Sequence, residues 1–229
     1  MVENVALIPA RGGSKGIKKK NIVDFLGRPL IQYTIEQALD SDTVDEVYVS
    51  TDADDIAEVS RKAGAKIIER PDELAGDEAT TESALLHALK YLRQNESIEP
   101  ELMTLLQCTS PLRRESDIDE TVRLVTEQGY DSALSVCEDH SFYWKETENG
   151  AEAINYDPTS RKRRQDMEKR YQENGSIYVF EIEILEEKEC RLGGKIGLHE
   201  MPETHSFEID MPKDLQIVQA IGEKANFHF

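Results

Sequence analysis

Strand-like and helix-like segments alternate over residues 2–137, and this alternation is the strongest constraint on how the chain folds. Apolar runs such as VALIPA (5–10) and DEVYVSTD (45–52) are typical of strands, whereas PLIQYTIEQALDS (29–41) has its apolar residues at helical spacing. This alternation predicts an α/β fold of three layers, α/β/α, with a mostly parallel sheet covered by helices on both faces. Ligands of such sheets bind where the strands end. The loops expected to form a site are therefore those at 10–21, 50–54, 70–81 and 107–114.

Residues from about 139 onwards follow a different pattern. The segment at 141–157 predicts a hairpin with a type I′ turn at Asn149-Gly150, and a polar, basic segment follows it. Strands are predicted again at GSIYVFEI and KIGLHEMP, and a last helix begins at Pro212. We interpret the chain as one domain over residues 1–229 with an insertion-like subregion at about 138–195. The aromatic residues at 142–144 either pack on a second subunit or cap the domain's own core.

Several helix ends carry capping signals. Thr80 or Thr81 is suited to begin one helix, and Ser116 is suited to be the N-cap of another that stops at Gly129. These signals place the boundaries of two helices that flank the predicted site loops.

The charge of the chain limits its partners. It carries 27 basic and 46 acidic residues, a formal charge of −19, which disfavours a nucleic-acid partner. No apolar run approaches the roughly 20 residues that span a bilayer, and the N-terminus lacks a signal-peptide pattern. Three widely separated cysteines favour reduced thiols. We therefore expect a cytoplasmic protein that binds neither nucleic acid nor membranes, and an anionic substrate would need a local cluster of cations.

Such a cluster follows the first strand. The turn RGGSKGIKKKN carries Arg11, Lys15 and the lysines at 18–20, while Gly12 and Gly13 let the backbone approach a ligand. Backbone N–H groups and these cations suit phosphate oxygens. The spacing matches neither the P-loop nor the dinucleotide-binding motif. The turn therefore predicts a phosphate site, with a solvated turn as the alternative reading.

At this point several stretches together resemble one family. IPARGGSKGIKKKN, VSTDADDIA, RPDELAGDEATT, LLQCTSPLR, RRQD with YQENGSIYV, and FEID are similar, in this order, to motifs of the acylneuraminate cytidylyltransferases, also called CMP-sialic acid synthetases. The resemblance covers nearly the whole chain. It implies a Rossmann-like nucleotidyltransferase fold with a small dimerisation subregion, a homodimer, and transfer of CMP from CTP to the anomeric hydroxyl of a nine-carbon acidic sugar with release of pyrophosphate.

The resemblance also implies roles for individual residues in nucleotide binding and catalysis. Arg11, Lys15 and Lys20 would bind the triphosphate and stabilise the leaving pyrophosphate, whereas Lys18 and Lys19 are expected to be solvated. The backbone of Ala79 and the hydroxyl of Thr81 would contact the base. Catalysis is assigned to Arg11, Lys15, Lys20 and Asp210, and nucleotide binding to Arg11, Gly12, Gly13, Ser14, Lys15, Asn21, Arg70, Ala79 and Thr81.

The acidic sugar and a divalent ion have their own implied ligands. Asp210 and Glu208, expected on one side of a strand, would hold Mg²⁺ or Mn²⁺, although the family normally has aspartate at position 208. Sugar binding is assigned to Gln107, Arg164, Gln165, Asn174 and Tyr178. For Arg113, which follows the turn fixed by Pro111, a structural ion pair is the alternative to a role in the site. Two further departures from the family leave the exact sugar open: Glu168 replaces a proline, and Arg191 and Leu192 replace a phenylalanine pair.

Other functions compete with this interpretation. The sugar could be legionaminate, pseudaminate, deaminated neuraminate or an octulosonate, and GTP could replace CTP. A non-catalytic nucleotide-binding protein of the same fold is an alternative from another class. No general base is identified, since a metal-activated hydroxyl would need none.

Overall fold

The computed structural model describes residues 3–225, so the predicted strand start at residue 2 lies outside the described part. Eleven strands and six α-helices are described within this range. The strands are β1 (Asn4–Pro9), β2 (Asp24–Phe25), β3 (Arg28–Pro29), β4 (Glu46–Thr51), β5 (Lys66–Glu69), β6 (Leu102–Leu106), β7 (Ser132–Glu138), β8 (Trp144–Thr147), β9 (Gly150–Ala153), β10 (Tyr171–Glu181) and β11 (Ile196–Glu200). The helices are α1 (Leu30–Leu39), α2 (Asp54–Lys62), α3 (Thr81–Tyr91), α4 (Glu115–Thr126), α5 (Ile182–Lys188) and α6 (Pro212–Lys224).

Seven strands form one mixed sheet in the order β11-β7-β10-β6-β1-β4-β5. All neighbouring pairs are parallel except those made by β10, which runs antiparallel to both β6 and β7. The prediction of a mostly parallel α/β sheet is confirmed. β10 runs antiparallel to β7 because the segment that connects them contains no α-helix. Parallel neighbours need a crossover connection, which is usually an α-helix.

Both faces of the sheet are buried under helices. In β1, Ala6 and Ile8 pack in the cluster that contains apolar residues of α1, α2 and α4. Val5 and Leu7 point the other way, into a cluster with residues of α3 and α5. This arrangement is why β1 reads as a continuous apolar run. A third cluster joins Phe25, Leu30 and Leu112 to Ile209 and to Val218 of α6.

Three local predictions have clear outcomes. Thr80 is the N-cap of α3, because its Oγ1 accepts a hydrogen bond from the Ser83 N–H at 3.1 Å. The prediction of Ser116 as an N-cap is wrong: α4 begins at Glu115, and the Asp117 carboxylate accepts from the Arg114 N–H at 2.8 Å. The carboxylate three residues past the N-cap binds the N–H of the N-cap residue, which is the reciprocal bond of a capping box.

The hairpin β8–β9 exists, but its turn is not the predicted one. Thr147 pairs with Gly150, so Glu148 and Asn149 occupy the turn, and only Gly150 of these three residues has a positive φ, +109°. A type I′ turn requires positive φ at both central residues. The prediction of a type I′ turn at Asn149-Gly150 is therefore wrong.

Within the predicted subregion at 138–195, β10 is a strand of the large sheet between β7 and β6, whereas residues 139–170 contribute no strand to that sheet. Phe142 and Trp144 pack their rings on Tyr156, while Tyr143 and Trp144 are 45% and 50% exposed. These aromatic residues belong to none of the three apolar clusters described above, so they do not cap the core. Within residues 3–225, no helix has the length and apolar character that crossing a bilayer requires.

Candidate active site

A cleft of about 530 Å³ opens at the edge of the sheet where β1, β4 and β6 end. This is the edge at which the sequence predicted a site. The cleft brings together the loop after β1, the loop before α3, the end of β6 and the segment before α6. Ten predicted site residues line it: Arg11, Ser14, Lys15, Lys20, Asn21, Arg70, Ala79, Thr81, Gln107 and Asp210.

The loop after β1 is held in place by polar contacts from two neighbouring loops. The Asp52 carboxylate accepts from the Gly12 N–H at 2.8 Å. The Asn21 amide donates to the Arg11 carbonyl at 2.9 Å and accepts from the Cys108 thiol at 3.0 Å. Asn21 is buried and its side chain is therefore engaged within the protein. Since Asp52 engages the Gly12 N–H, that group is not free for a phosphate in this conformation.

Each predicted phosphate-binding cation is paired with an acidic side chain. Arg11 and Lys15 contact the two oxygens of Asp77 at 3.1 and 2.9 Å, and the hydrogen bond from Lys15 lowers the pKa of the Asp77 carboxyl. Lys20 contacts Asp210 at 2.9 Å. The cluster that an anion would bind is thus already occupied by carboxylates from this acidic chain.

The loop before α3 supplies two kinds of group. Arg70 is buried and donates to the Ser50 carbonyl at 2.7 Å and to Ser50 Oγ at 3.1 Å, so β4 fixes its guanidinium at the cleft. Burial lowers the pKa of Arg70. Because Thr80 caps the helix, the role of N-cap does not fall to Thr81, which lines the cleft. The electropositive end of α3 faces the same space.

The segment before α6 brings the Asp210 carboxylate to the cleft. It is not assigned as a strand, but Ile209 is fully buried and its N–H donates to the Thr109 carbonyl at 2.8 Å. This anchors the segment beside the loop after β6. Gly16 lies directly against the backbone carbonyl of Asp210, so that a side chain at position 16 would overlap it. The loop after β1 and the segment before α6 therefore touch through backbone atoms as well as through the ion pair of Lys20 with Asp210.

Glu208 has the properties of a carboxylate that a cation would stabilise. Burial, together with the nearby charge of Asp210, raises its pKa to about 7. Gly175, with φ of +65°, leaves the space that the Glu208 carboxylate occupies. Within residues 3–225, no group of three or more His, Cys, Asp or Glu side chains is arranged to hold a metal ion. Two carboxylates fit Mg²⁺ only when phosphates and water complete the set, which is its usual mode of binding.

The predicted sugar-binding residues fall into three locations. Gln107 lines the cleft. Asn174 is buried, accepts from Ser135 Oγ at 2.6 Å and donates to Ser206 Oγ at 3.0 Å, and the buried Tyr178 hydroxyl donates to Glu173. Arg164 and Gln165 are exposed, and Arg164 lines a second hollow that shares no lining residue with the cleft.

Sequence reasoning missed some residues of the cleft. Asp77 and Asp52 were not singled out, although each lies in a loop that was expected at the site. Thr109 and Met211 also line the cleft. Thr109 lies two residues after Gln107 and Met211 directly follows Asp210, and this proximity is the only sign in the sequence that they belong to the cleft. Arg113 has no carboxylate among the hydrogen-bond partners described for it, so its contacts are not those of an ion pair.

Comparison with known proteins identifies the class. A family model described as cytidylyltransferase matches residues 5–228, and the chain therefore belongs to the cytidylyltransferase family. Curated relatives narrow the resemblance. N-acylneuraminate cytidylyltransferase A of Danio rerio is 39% identical over 218 residues, covering 93% of this chain and 49% of the relative. The N-acylneuraminate cytidylyltransferase of Escherichia coli is 31% identical over 225 residues, covering 97% and 52%.

The chain thus spans about half the length of these curated relatives. A relative of matching length is the pseudaminic acid cytidylyltransferase of Campylobacter jejuni, 30% identical over 226 residues and covered to 96% on both sides. The resemblance to acylneuraminate cytidylyltransferases inferred from the motifs is confirmed.

Solved structures agree in fold. CMP:2-keto-3-deoxy-manno-octonic acid synthetase in complex with CTP matches with a TM-score of 0.72 at 20% identity, covering 97% of this chain and 99% of that chain. The 4-diphosphocytidyl-2C-methyl-D-erythritol synthase of Anaerococcus prevotii matches with a TM-score of 0.69 at 13% identity, covering 97% and 96%. At such identities the likeness is one of fold, and it supports the α/β assignment.

Proposed function

We propose that the protein transfers CMP from CTP to the anomeric hydroxyl of a nine-carbon, sialic-type acid and releases pyrophosphate. The observation that carries the proposal is the convergence, in one cleft, of three cations, the loop before α3, Gln107 and Asp210. The family to which the chain belongs performs cytidylyl transfer, and its N-acylneuraminate members are similar over more than nine-tenths of this chain.

In the proposed reaction, the sugar hydroxyl attacks the α-phosphorus as the bond to pyrophosphate breaks and the hydroxyl proton is lost. Arg11, Lys15 and Lys20 bind the triphosphate and neutralise charge on the leaving group. Arg70, Ala79 and Thr81 surround the nucleoside, with Thr81 available because Thr80 serves as the cap. Positioning and charge neutralisation of this kind are the main sources of rate acceleration in phosphoryl transfer.

A divalent ion is proposed to be held by Asp210, with Glu208 as a second ligand. Bound Mg²⁺ would supply positive charge that screens the phosphates from the acidic segment. The raised pKa of Glu208 fits this assignment, because a cation beside Glu208 and Asp210 relieves the repulsion between two carboxylates. Lys20 contacts Asp210 at 2.9 Å and thereby holds the Asp210 carboxylate in the cleft.

The acid group of the sugar is proposed to be bound by a second copy of the chain in a homodimer. Arg164 and Gln165 are exposed, and Arg164 lines a separate hollow together with Phe142 and Met167. Tyr143 and Trp144 offer exposed apolar surface close by in sequence. A planar guanidinium suits a carboxylate, so Arg164 from a partner subunit would complete the cleft.

The same reaction on pseudaminate is the second candidate, since the pseudaminic acid enzyme matches this chain in length as well as sequence. The test is pyrophosphate release by the purified protein with Mg²⁺, CTP or GTP, and a panel of nine-carbon acids and the octulosonate. Release with CTP and one nine-carbon acid names the sugar. Release only with the octulosonate or only with GTP would contradict the proposal, as would failure to release pyrophosphate with any acid while CTP binds.

Replacing Asp210 with alanine tests the metal assignment. We expect CTP-dependent turnover to be lost while the circular dichroism spectrum stays that of the parent, because Asp210 is exposed and Lys20 is the one ion-pair partner of its side chain within residues 3–225. The control is Lys213→Ala, which removes another exposed charged side chain three residues further along the chain. Turnover by Asp210→Ala within a few-fold of the parent would remove Asp210 from the site.

A further inference from the structure

Arg113 is a charged side chain with no solvent exposure, at the loop that follows β6. Burial lowers the pKa of its guanidinium to about 10, which leaves it charged at neutral pH. Its Nε donates to Gln37 Oε1 at 3.1 Å, and Nη1 donates to the Ser176 carbonyl at 2.6 Å. Its Nη2 donates to Thr34 Oγ1 at 3.0 Å and to the carbonyl of Gln107. All four acceptors are neutral groups.

These bonds tie three elements to the edge of the cleft. Thr34 and Gln37 belong to α1, Ser176 belongs to β10, and Gln107 directly follows β6. The Gln37 amide donates back to the carbonyls of Pro111 and Arg113 at 2.7 and 2.8 Å. The loop at 107–113 is therefore closed on itself, with the guanidinium directly behind the backbone of Gln107.

The position of the Gln107 side chain depends on the backbone of Gln107, to which Arg113 donates. The Gln107 N–H donates to the Ser176 carbonyl at 3.3 Å, the same oxygen that Arg113 binds. On the cleft side, Gln107 Oε1 accepts from Thr109 Oγ1 at 3.4 Å, and no acceptor for the Gln107 amide N–H₂ is described within residues 3–225. Arg113 thus fixes the backbone from which a hydrogen-bond donor points into the cleft.

A buried charge whose hydrogen bonds all go to neutral groups is not explained by fold stability alone. Apolar residues of similar volume commonly replace buried ionic groups without loss of stability. Among the described cations that line the cleft, Arg11, Lys15 and Lys20 are each paired with a carboxylate, whereas Arg70 donates to Ser50. Arg113, like Arg70, has no acid among the hydrogen-bond partners described for it, and it lies behind the part of the cleft that Gln107 lines.

We propose that Arg113 is a positioning residue for the acidic sugar: it fixes Gln107 toward the acceptor and places a permanent positive charge behind it. The inference rests on the proposed function and extends it to a residue that does not itself line the cleft. The nucleotide side of the cleft is held by other contacts, those of Asn21, Arg70 and Asp77. The effect of Arg113 should therefore fall on the sugar and not on CTP.

The test compares Arg113→Met, which removes the charge, with Arg113→Lys, which keeps the charge but loses the planar fork. Arg93→Met is the matched control, since Arg93 makes ion pairs with Glu99 and Glu186 outside the cleft. We expect Arg113→Met to raise the KM for the sugar acid about tenfold or more, with the Kd for CTP within about twofold of the parent. Arg113→Lys should recover part of this loss. If Arg113→Met does not fold, Arg113→Lys alone carries the comparison.

A second readout does not depend on turnover. Amide hydrogen exchange at 107–113 should accelerate in the Arg113 variants and stay unchanged in Arg93→Met, because the clamp on the loop is lost only in the former. Equal changes in sugar KM and CTP Kd, or unchanged exchange at 107–113, would overturn the inference. A parent protein that turns over no acid at all refutes the proposed function instead, and the exchange result then still decides whether Arg113 positions the loop.

Discussion

Replacing Gly16 with alanine tests whether the loop after β1 and the segment before α6 must touch for the proposed reaction to proceed. An added Cβ at position 16 would overlap the Asp210 carbonyl oxygen and would lie 3.2 Å from Met211 Sδ. Gly16 does not have a positive φ, so alanine introduces no backbone strain and the whole effect comes from this contact. The two segments would have to separate by about 1 Å, and misplacement of about 1 Å can cost roughly 10²-fold in rate.

The separation acts on the groups that are proposed to perform catalysis. Lys20 follows Gly16 in the same loop and contacts Asp210 at 2.9 Å, which leaves no slack for a shift of that size. We therefore expect kcat/KM for pyrophosphate release to fall by about 10²-fold in Gly16→Ala. The melting temperature should change little, because both segments are exposed where they meet.

The matched control is Gly76→Ala, in the neighbouring loop. A Cβ at Gly76 would meet no atom within 4 Å, and its φ is not positive, so kcat/KM should stay near that of the parent. Pyrophosphate release and thermal melting are measured for parent and both variants under identical conditions. If Gly16→Ala and Gly76→Ala are equally active, contact between the two segments is not required and the reasoning fails.

Three further predictions follow from charges and backbone geometry in the cleft. Asp77→Asn should bind CTP more tightly than the parent at low salt, because the carboxylate that occupies Arg11 and Lys15 is removed, and added salt should narrow the difference; weaker binding in calorimetry would contradict this. The folded pKa of Glu208, about 7, exceeds the ordinary value of 4.5, so the parent's stability should fall as pH rises from about 4.5 to 7. Glu208→Gln should therefore melt higher than the parent at pH 8 and close to it at pH 4.5, and a constant difference across this range would contradict the assignment. Gly175→Ala should lower the free energy of unfolding by about 1–2 kcal/mol from its left-handed backbone alone and displace Glu208 as well, which chemical denaturation would detect.

The sheet and most of its strands could be predicted because both faces of the sheet are covered. Alternate residues of β1 enter different apolar clusters, so the strand appears in the sequence as one uninterrupted apolar run. The direction of β10 could not be predicted, since an apolar strand pattern is the same in either direction. Only its pairing with β6 and β7 reveals that it runs antiparallel.

The candidate site was predictable in its residues but not in its contacts. Motif resemblance and the position of loops after strands led to the ten residues that line the cleft. The pairing of Asp77 with Arg11 and Lys15 depends on two loops that are 62 or more residues apart in sequence, and no local pattern encodes it. The burial of Arg113 could not be predicted either, because it follows from the packing of α1 and β10 around the side chain.

The contact between Lys20 and Asp210 joins residues that are 190 positions apart, which has a consequence for synthesis on the ribosome. At about 5–20 residues per second, roughly 10–40 s separate the emergence of the two residues. During that time the nascent chain carries Lys20 without the Asp210 carboxylate that pairs with it. A fragment released before residue 208 would also lack Ile209 and α6, which close the third apolar cluster around Phe25 and Leu112. Incomplete chains would therefore expose apolar surface that Ile209 and Val218 cover in the complete fold.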